Sequence, residues 1–377
     1  MKKVLHISKY YSPFAGGIEE IAKDCVESLE GRYEQKVICF NHELNGGNQV
    51  DIVSNIEIIR CNCEKIISSQ PISISYPRIL KKTIKEFQPD YILLHYPNPY
   101  VSHFLLKLLE DNVKFILYWH LDIVKQRIIG KLFNKQNERL LNRADVIVAT
   151  SPNYIEGSKW LSKYKKKCHV VPCCINEANL QLNDEILEKS KKIKQENKGN
   201  VICLAVGRHT EYKGTRYLLE ASKFLNDNYK IMIAGTGELT DSLKEYAKEE
   251  CLKNVTFLGR VDQNDLLANL NACDIFCFPS ITKNEAFGIA LAEGMYFKKP
   301  AVTFTIPGSG VNYVSLNNQT GIEVPNKDSK AFANALMKLG ESEELRSKFG
   351  NNGYKRIVEN FTYSDFKVKL LNIFNEI

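Results

Sequence analysis

Short apolar runs, each followed by a loop and then a helix-compatible segment, recur along most of this chain. They fall at 3–8, 35–40, 56–60, 91–95, 114–120, 146–150 and 168–171, and again at 201–206, 230–234, 255–258, 275–278 and 301–305. A strand apolar along its whole length must be covered on both faces. Strands that alternate with helices are joined by crossovers, so the rhythm specifies parallel sheets wrapped by helices, an α/β architecture. At 377 residues the chain exceeds one ordinary core. Between the two series lies a polar, Lys- and Glu-rich stretch, 176–200, read as the interdomain connection. The expected domains are therefore 1–178 and 179–353, two doubly wound units with a cleft facing the carboxyl ends of both sheets. Residues 354–377 are helical in pattern and are expected to cross back onto the first domain.

Several function classes drop out on composition. With 44% hydrophobic and 25% charged residues and no low-complexity tract, the chain is neither disordered, fibrous nor a repeat array. The start, MKKVLHISKYYSPF, lacks the sustained apolar stretch of a secretory signal, and no window approaches the roughly 20 apolar residues of a membrane span. A cytoplasmic protein is expected, with its eleven cysteines reduced and buried as small hydrophobes. Of the net charge of +7, nearly all belongs to the N-terminal half. Its densest parts are Arg78, Lys81, Lys82 and Lys85, and the run Lys159, Lys163, Lys165, Lys166 and Lys167. Either these form a solvated face or they meet anionic headgroups on the cytoplasmic membrane surface. Nucleic acid fits less well, because no aromatic stacking platform accompanies them.

Three loops of the second series follow strands, where an α/β sheet places its ligand contacts. In Gly207-Arg208-His209-Thr210-Glu211-Tyr212-Lys213-Gly214, two cations flank a short turn and could converge on one anion, stabilising a diphosphate leaving group. In Gly235-Thr236-Gly237-Glu238, small residues ahead of a helix would let backbone N–H groups approach a phosphate. Arg260, after the run at 255–258, joins these donor-binding candidates. The third loop, from Asn284 to Gly294, carries Glu285 just before a helix and Glu293 about two turns later. Two carboxylates so spaced suit hydroxyl pairs at the two ends of a nucleotide-sugar. In the first domain, Gly16-Gly17 precedes the first helix and departs from the Gly-x-Gly-x-x-Gly fingerprint of nicotinamide enzymes. His120 and Asp122 end the strand at 114–120. Neither a metal-binding spacing nor a nucleophile–base arrangement can be assembled.

Taken together, these loops resemble the retaining glycosyltransferases of the GT-B fold known as family 4, or glycosyl transferases group 1, which consist of two Rossmann-like domains. The E-x7-E motif is matched by Glu285 and Glu293, with Phe287, Gly288 and Ile289 between them. The resemblance implies that Glu285 contacts the donor sugar and Glu293 the ribose. It further implies that Arg208 and Lys213 hold the diphosphate, that Gly16-Gly17 and Gly207 belong to the donor site, and that His120 lies near the transferred sugar. Where many members show Gly-Gly-x-x-Glu, this chain has Pro307-Gly308-Ser309-Gly310-Val311-Asn312. Similar segments in enzymes of bacterial O-antigen and capsule assembly favour GDP-mannose, with other GDP- or UDP-sugars open. The implied activity is transfer of a hexose to a glycan or lipid-linked acceptor, without cofactor or metal. A sugar-nucleotide epimerase of the same fold and a non-catalytic nucleotide-sugar-binding protein remain as alternatives.

Overall fold

The computed structural model describes residues 1–14, 16–123 and 130–377. The chain forms two compact units, one of Met1–Pro172 with Phe366–Ile377, the other of Cys173–Asp365.

The first unit is built on β1 (Lys3–Ile7), β2 (Glu34–Leu44), β3 (Gln49–Val53), β4 (Ile56–Cys63), β7 (Tyr91–Tyr96), β8 (Lys114–Trp119), β9 (Val146–Ala149) and β10 (Cys168–Val170), with a separate hairpin of β5 (Lys65–Ile67) and β6 (Gln70–Ile72). The sheet order is β10-β9-β8-β7-β1-β2-β4-β3. All pairings are parallel except β3 against β4. Later strands run outward from β1 on one side and from β7 on the other, so the winding reverses between β1 and β7. Strand β7, YILLHY, is buried at every position, as a central parallel strand must be. The helix Tyr363–Glu376 seats Phe374 against Tyr33 and Tyr91, with ring centres 5.3 and 5.1 Å away.

The second unit contains β11 (Val201–Val206), β12 (Tyr229–Ala234), β13 (Val255–Gly259), β14 (Ile275–Phe278), β15 (Ala301–Phe304) and β16 (Gly321–Val324). Its order is β13-β12-β11-β14-β15-β16, parallel throughout. The reversal falls between β11 and β14. The polar stretch read as a connection is instead largely a helix of this unit, Asp184–Glu196. Asn183 caps it by accepting the Ile186 N–H. It buries Ile186 and Ser190, while Lys189 reaches Asp265 at 2.8 Å and Asn271 bonds Ser190 at 2.9 Å. A single narrow apolar stripe suffices to dock it. The chain leaves the first unit between Pro172 and Cys173 rather than after 178. Among the described residues no helix is long and apolar enough to cross a membrane.

Candidate functional site

At the reversal of the second sheet, the loops after β11 and β14 lie side by side. Ile281 N–H donates to the Tyr212 carbonyl at 2.9 Å. Gly214 has φ +64°, and a Cβ there would overlap the Pro279 carbonyl oxygen, so only glycine lets the loops come this close. Lys213 Nζ stands 2.5 Å from Glu285 Oε2, and Ser280 Oγ donates to the same oxygen at 3.0 Å. Both partners of the ion pair are largely buried, which is tolerable because each offsets the other's lost hydration. The segment 307–312 braces this loop from behind: Ser309 Oγ donates to the Glu285 carbonyl, and Gly310 abuts the backbone of Ala286. Arg208 is exposed, and its guanidinium bonds to no protein group among the described residues. It lines one small pocket with Gly207, Lys213, Thr215, Phe278 and Ser280. The pocket thus offers one unopposed cation and one cation held by the Glu285 carboxylate.

The glycine loop behaves differently from its sequence reading. Gly237 N–H donates to Thr240 Oγ1 at 2.8 Å, so it is already used within the loop. The helix opens only at Thr240, and Glu238 is exposed. Thr240 Oγ1 in turn meets His209 Nδ1 at 2.9 Å. Burial, with Lys244 nearby, lowers the His209 pKa. Backbone bonds from His209 N–H to Thr236 O and from Leu239 N–H to His209 O join this loop to the one that carries Arg208. Arg260 is exposed just beyond β13.

The helix after Glu285 begins at Ile289 and runs to Tyr296. Gly288 precedes it with φ +96°, and Phe287 is buried with its ring 5.4 Å from that of Phe361. The Glu285 carboxylate is therefore held by side chains, not by the N–H groups of this helix. Glu293 has no hydrogen-bond or ion-pair partner for its carboxyl among the described residues. Burial pushes its pKa up to about 7.

In the first unit, Gly16 is extended and Gly17 opens the helix Gly17–Leu29. Glu19 and Glu20 stand in its first turn, where they compensate the positive helix end. His120 is buried, with Nε2 2.9 Å from Nδ1 of His95 and the two rings nearly parallel. Burial pushes the His120 pKa down to about 3, so the ring is neutral. Its Nδ1 has no protein partner among the described residues. Asp122, at the end of the same strand, is buried. It accepts from Trp119 Nε1 at 3.0 Å and Ser158 Oγ at 2.8 Å. The histidine's partner is His95, hidden in sequence within the apolar run of β7. Ser280 and Ser309 likewise escape a sequence reading. Ser280's place just beyond the end of β14 is the available signal. Cys251 is exposed and Cys168 half-buried, unlike the buried set expected. Among the described residues no three His, Cys, Asp or Glu side chains come together as metal ligands would.

The family model described as Glycosyl transferases group 1 matches residues 187–356, and that of Glycosyltransferase Family 4 matches 15–179. The chain is 30% identical to O-antigen chain mannosyltransferase C of Escherichia coli, over 96% of this chain and 94% of that protein. It is 31% identical to D-rhamnosyltransferase WbpZ of Pseudomonas aeruginosa, over 96% and 92%. Among solved structures, Anabaena HepE in complex with UDP and glucose superposes with a TM-score of 0.75 at 15% identity, covering 100% of both chains. That likeness speaks for the fold, two Rossmann-like units in the GT-B manner.

Proposed function

This chain belongs to the group 1, family 4 glycosyltransferases, and from that premise we propose that it is a retaining hexosyltransferase of bacterial surface-polysaccharide assembly. The observation that carries the reading is the Lys213–Glu285 pair at the sheet reversal, beside the unpartnered Arg208. The donor's diphosphate would lie against Arg208 and Lys213. As the bond from the anomeric carbon to the diphosphate oxygen breaks, both electrons stay with that oxygen, and the two cations stabilise the charge that gathers there. The acceptor hydroxyl attacks the same face of the sugar and gives its proton to the departing phosphate, yielding glycoside and nucleoside diphosphate. No protein nucleophile enters this balance. Glu285 would accept hydroxyls of the sugar and Glu293 those of the ribose, while His120, neutral, would hydrogen-bond near the transferred sugar.

For the donor, the relatives named as a mannosyltransferase and a D-rhamnosyltransferase support a mannose-type sugar, and GDP-mannose is the choice. HepE was solved with UDP, which makes UDP-sugars the comparison set. The acceptor would be a glycan or lipid-linked saccharide at the cytoplasmic membrane face. Purified protein should be incubated with GDP-mannose or UDP-hexoses and a saccharide acceptor, and the new linkage read by NMR. Transfer from GDP-mannose with the anomeric configuration kept is expected. An inverted product would overturn the mechanism, and sugar interconversion without acceptor would mark an epimerase. With two cations at the diphosphate, turnover is expected to persist in a chelator; its loss would show that a metal ion supplies part of that charge.

A further inference from the structure

His95 lies near the carboxyl end of β7, with Tyr118 beside it in register on β8. His120 follows one residue beyond β8, and its N–H donates to the Tyr96 carbonyl at 3.0 Å, so the ladder continues and the three rings point to one face. They stack. His95 and His120 have centres 5.2 Å apart and planes 7° apart, and Tyr118 lies against them at 5.6 and 4.4 Å. Tyr118 is held in turn through its hydroxyl, which donates to the Val171 carbonyl at 2.7 Å. Burial keeps both imidazoles uncharged: the His120 pKa falls to about 3, and that of His95 lies well below its ordinary value, with His120 and His6 nearby adding to the effect.

A neutral imidazole carries one proton between two nitrogens. The 2.9 Å contact of His95 Nδ1 with His120 Nε2 needs one nitrogen to donate and the other to accept. If His95 Nδ1 donates, His120 Nε2 is bare and the His120 proton sits on Nδ1. If His120 Nε2 donates, its Nδ1 is bare and the His95 proton sits on Nε2. Each ring thus dictates the other's tautomer. The atom whose state this decides, His120 Nδ1, has no protein partner among the described residues.

The fold gains little from an imidazole at 95. Its Nε2 is buried without a protein partner among the described residues, in a strand otherwise made of Tyr, Ile and Leu. An unmade bond there costs free energy that a leucine would not.

We propose that His95 is a positioning residue for sugar transfer: through its bond to Nε2 it holds His120 in one tautomer, so that Nδ1 meets the transferred sugar in a single hydrogen-bonding state. A sugar hydroxyl can donate or accept, and a fixed Nδ1 orients its proton before reaction. The role rests on the place given to His120 in the proposed function, but the pairing is testable with no sugar present, so the two can fail separately.

The full chain is labelled with ¹⁵N-histidine, and long-range ¹H–¹⁵N correlations read the tautomer of each of its seven histidines. His95→Leu and His120→Gln assign the two rings by loss of signal. In wild type, His95 and His120 should each show one tautomer, with the proton on the same-named nitrogen in both. In His95→Leu, His120 should exchange between tautomers, and kcat should fall about tenfold or more with donor KM little changed. His95→Asn keeps a polar atom near the place of Nδ1 but buries an amide, so it should melt below His95→Leu and yet turn over faster. In a His120→Gln background, His95→Leu should bring no further loss, because the two rings act as one unit. Protons on differently named nitrogens in wild type, an unchanged His120 tautomer in His95→Leu, turnover that follows the melting order, or an additive loss in the His120→Gln background would each overturn the proposal. If no donor gives transfer, the transferase reading falls while the ring signals still decide the pairing.

Discussion

Arg208 and Lys213 are both cations lining one pocket, yet the structure treats them differently, and the difference sets what each substitution should do. The Arg208 side chain makes no hydrogen bond or ion pair among the described residues, so Arg208→Ala should change stability by no more than about 0.5 kcal/mol. Turnover, if this guanidinium meets the leaving phosphate, should fall by about 10²-fold. A fall below about threefold in kcat, with an unchanged melt, would remove it from that role. Lys213 cannot be tested as cleanly, because its loss leaves Glu285 largely buried and opposed only by the Ser280 hydroxyl. Glu293 makes a separate prediction through pH. Burial raises its pKa from 4.5 to about 7, so between those values the folded carboxyl keeps a proton that the unfolded chain has released. The stability this lends is full below about pH 4.5 and lost as pH rises through 7. Glu293→Gln is neutral throughout, so it should gain in melting temperature over wild type between about pH 5 and pH 8. A difference that stays flat across that range would refute the raised pKa.

At the scale of elements, loops carry the site and glycines decide how closely they pass. Gly214 needs its left-handed backbone and has the Pro279 carbonyl where a Cβ would go. Gly214→Ala should therefore cost roughly 2 kcal/mol or more and abolish transfer. Gly17, by contrast, opens a helix, and a Cβ added there would meet nothing within 4 Å. Gly17→Ala should melt at or slightly above the wild-type temperature. If it does so but loses activity, the ligand itself must approach that backbone. Thermal melts beside rate measurements distinguish the two glycines. This contrast also marks what sequence can reveal. Apolar runs such as 91–95 and 201–206 announce the parallel strands because two-sided burial forces continuous hydrophobicity. Strand order is not readable, since the same runs fit several crossover patterns. β3 gives no signal because its exposed edge position demands no apolar pattern. The helix Asp184–Glu196 reads as a connection because few of its residues are buried. Glu285 and Lys213 are each legible from their loops. Their contact joins positions 72 residues apart and exists only because β11 and β14 are neighbours.

At the scale of the whole molecule, the chain crosses from the first unit to the second after Pro172 and returns after Asp365. The first unit is consequently discontinuous in sequence, and its last piece closes it through aromatic packing. Phe374 sits against Tyr33 and Tyr91, and the Tyr91 hydroxyl, which accepts from Lys2 Nζ at 2.7 Å, donates to the Phe374 and Ile377 carbonyls at 3.5 and 3.4 Å. Truncating a buried phenylalanine of this kind costs about 3–5 kcal/mol. The second unit holds Arg208, Lys213, Glu285 and Glu293 within 173–365 and draws none of its sheet from the C-terminal piece. Phe374→Ala should therefore lower the melting of the first unit while leaving the second able to bind nucleotide. Calorimetry of the full chain should show an early transition insensitive to nucleoside diphosphate and a later one that the nucleotide raises by mass action. A single transition, lowered by the substitution and raised by the nucleotide, would instead mean that the two units unfold as one cooperative body.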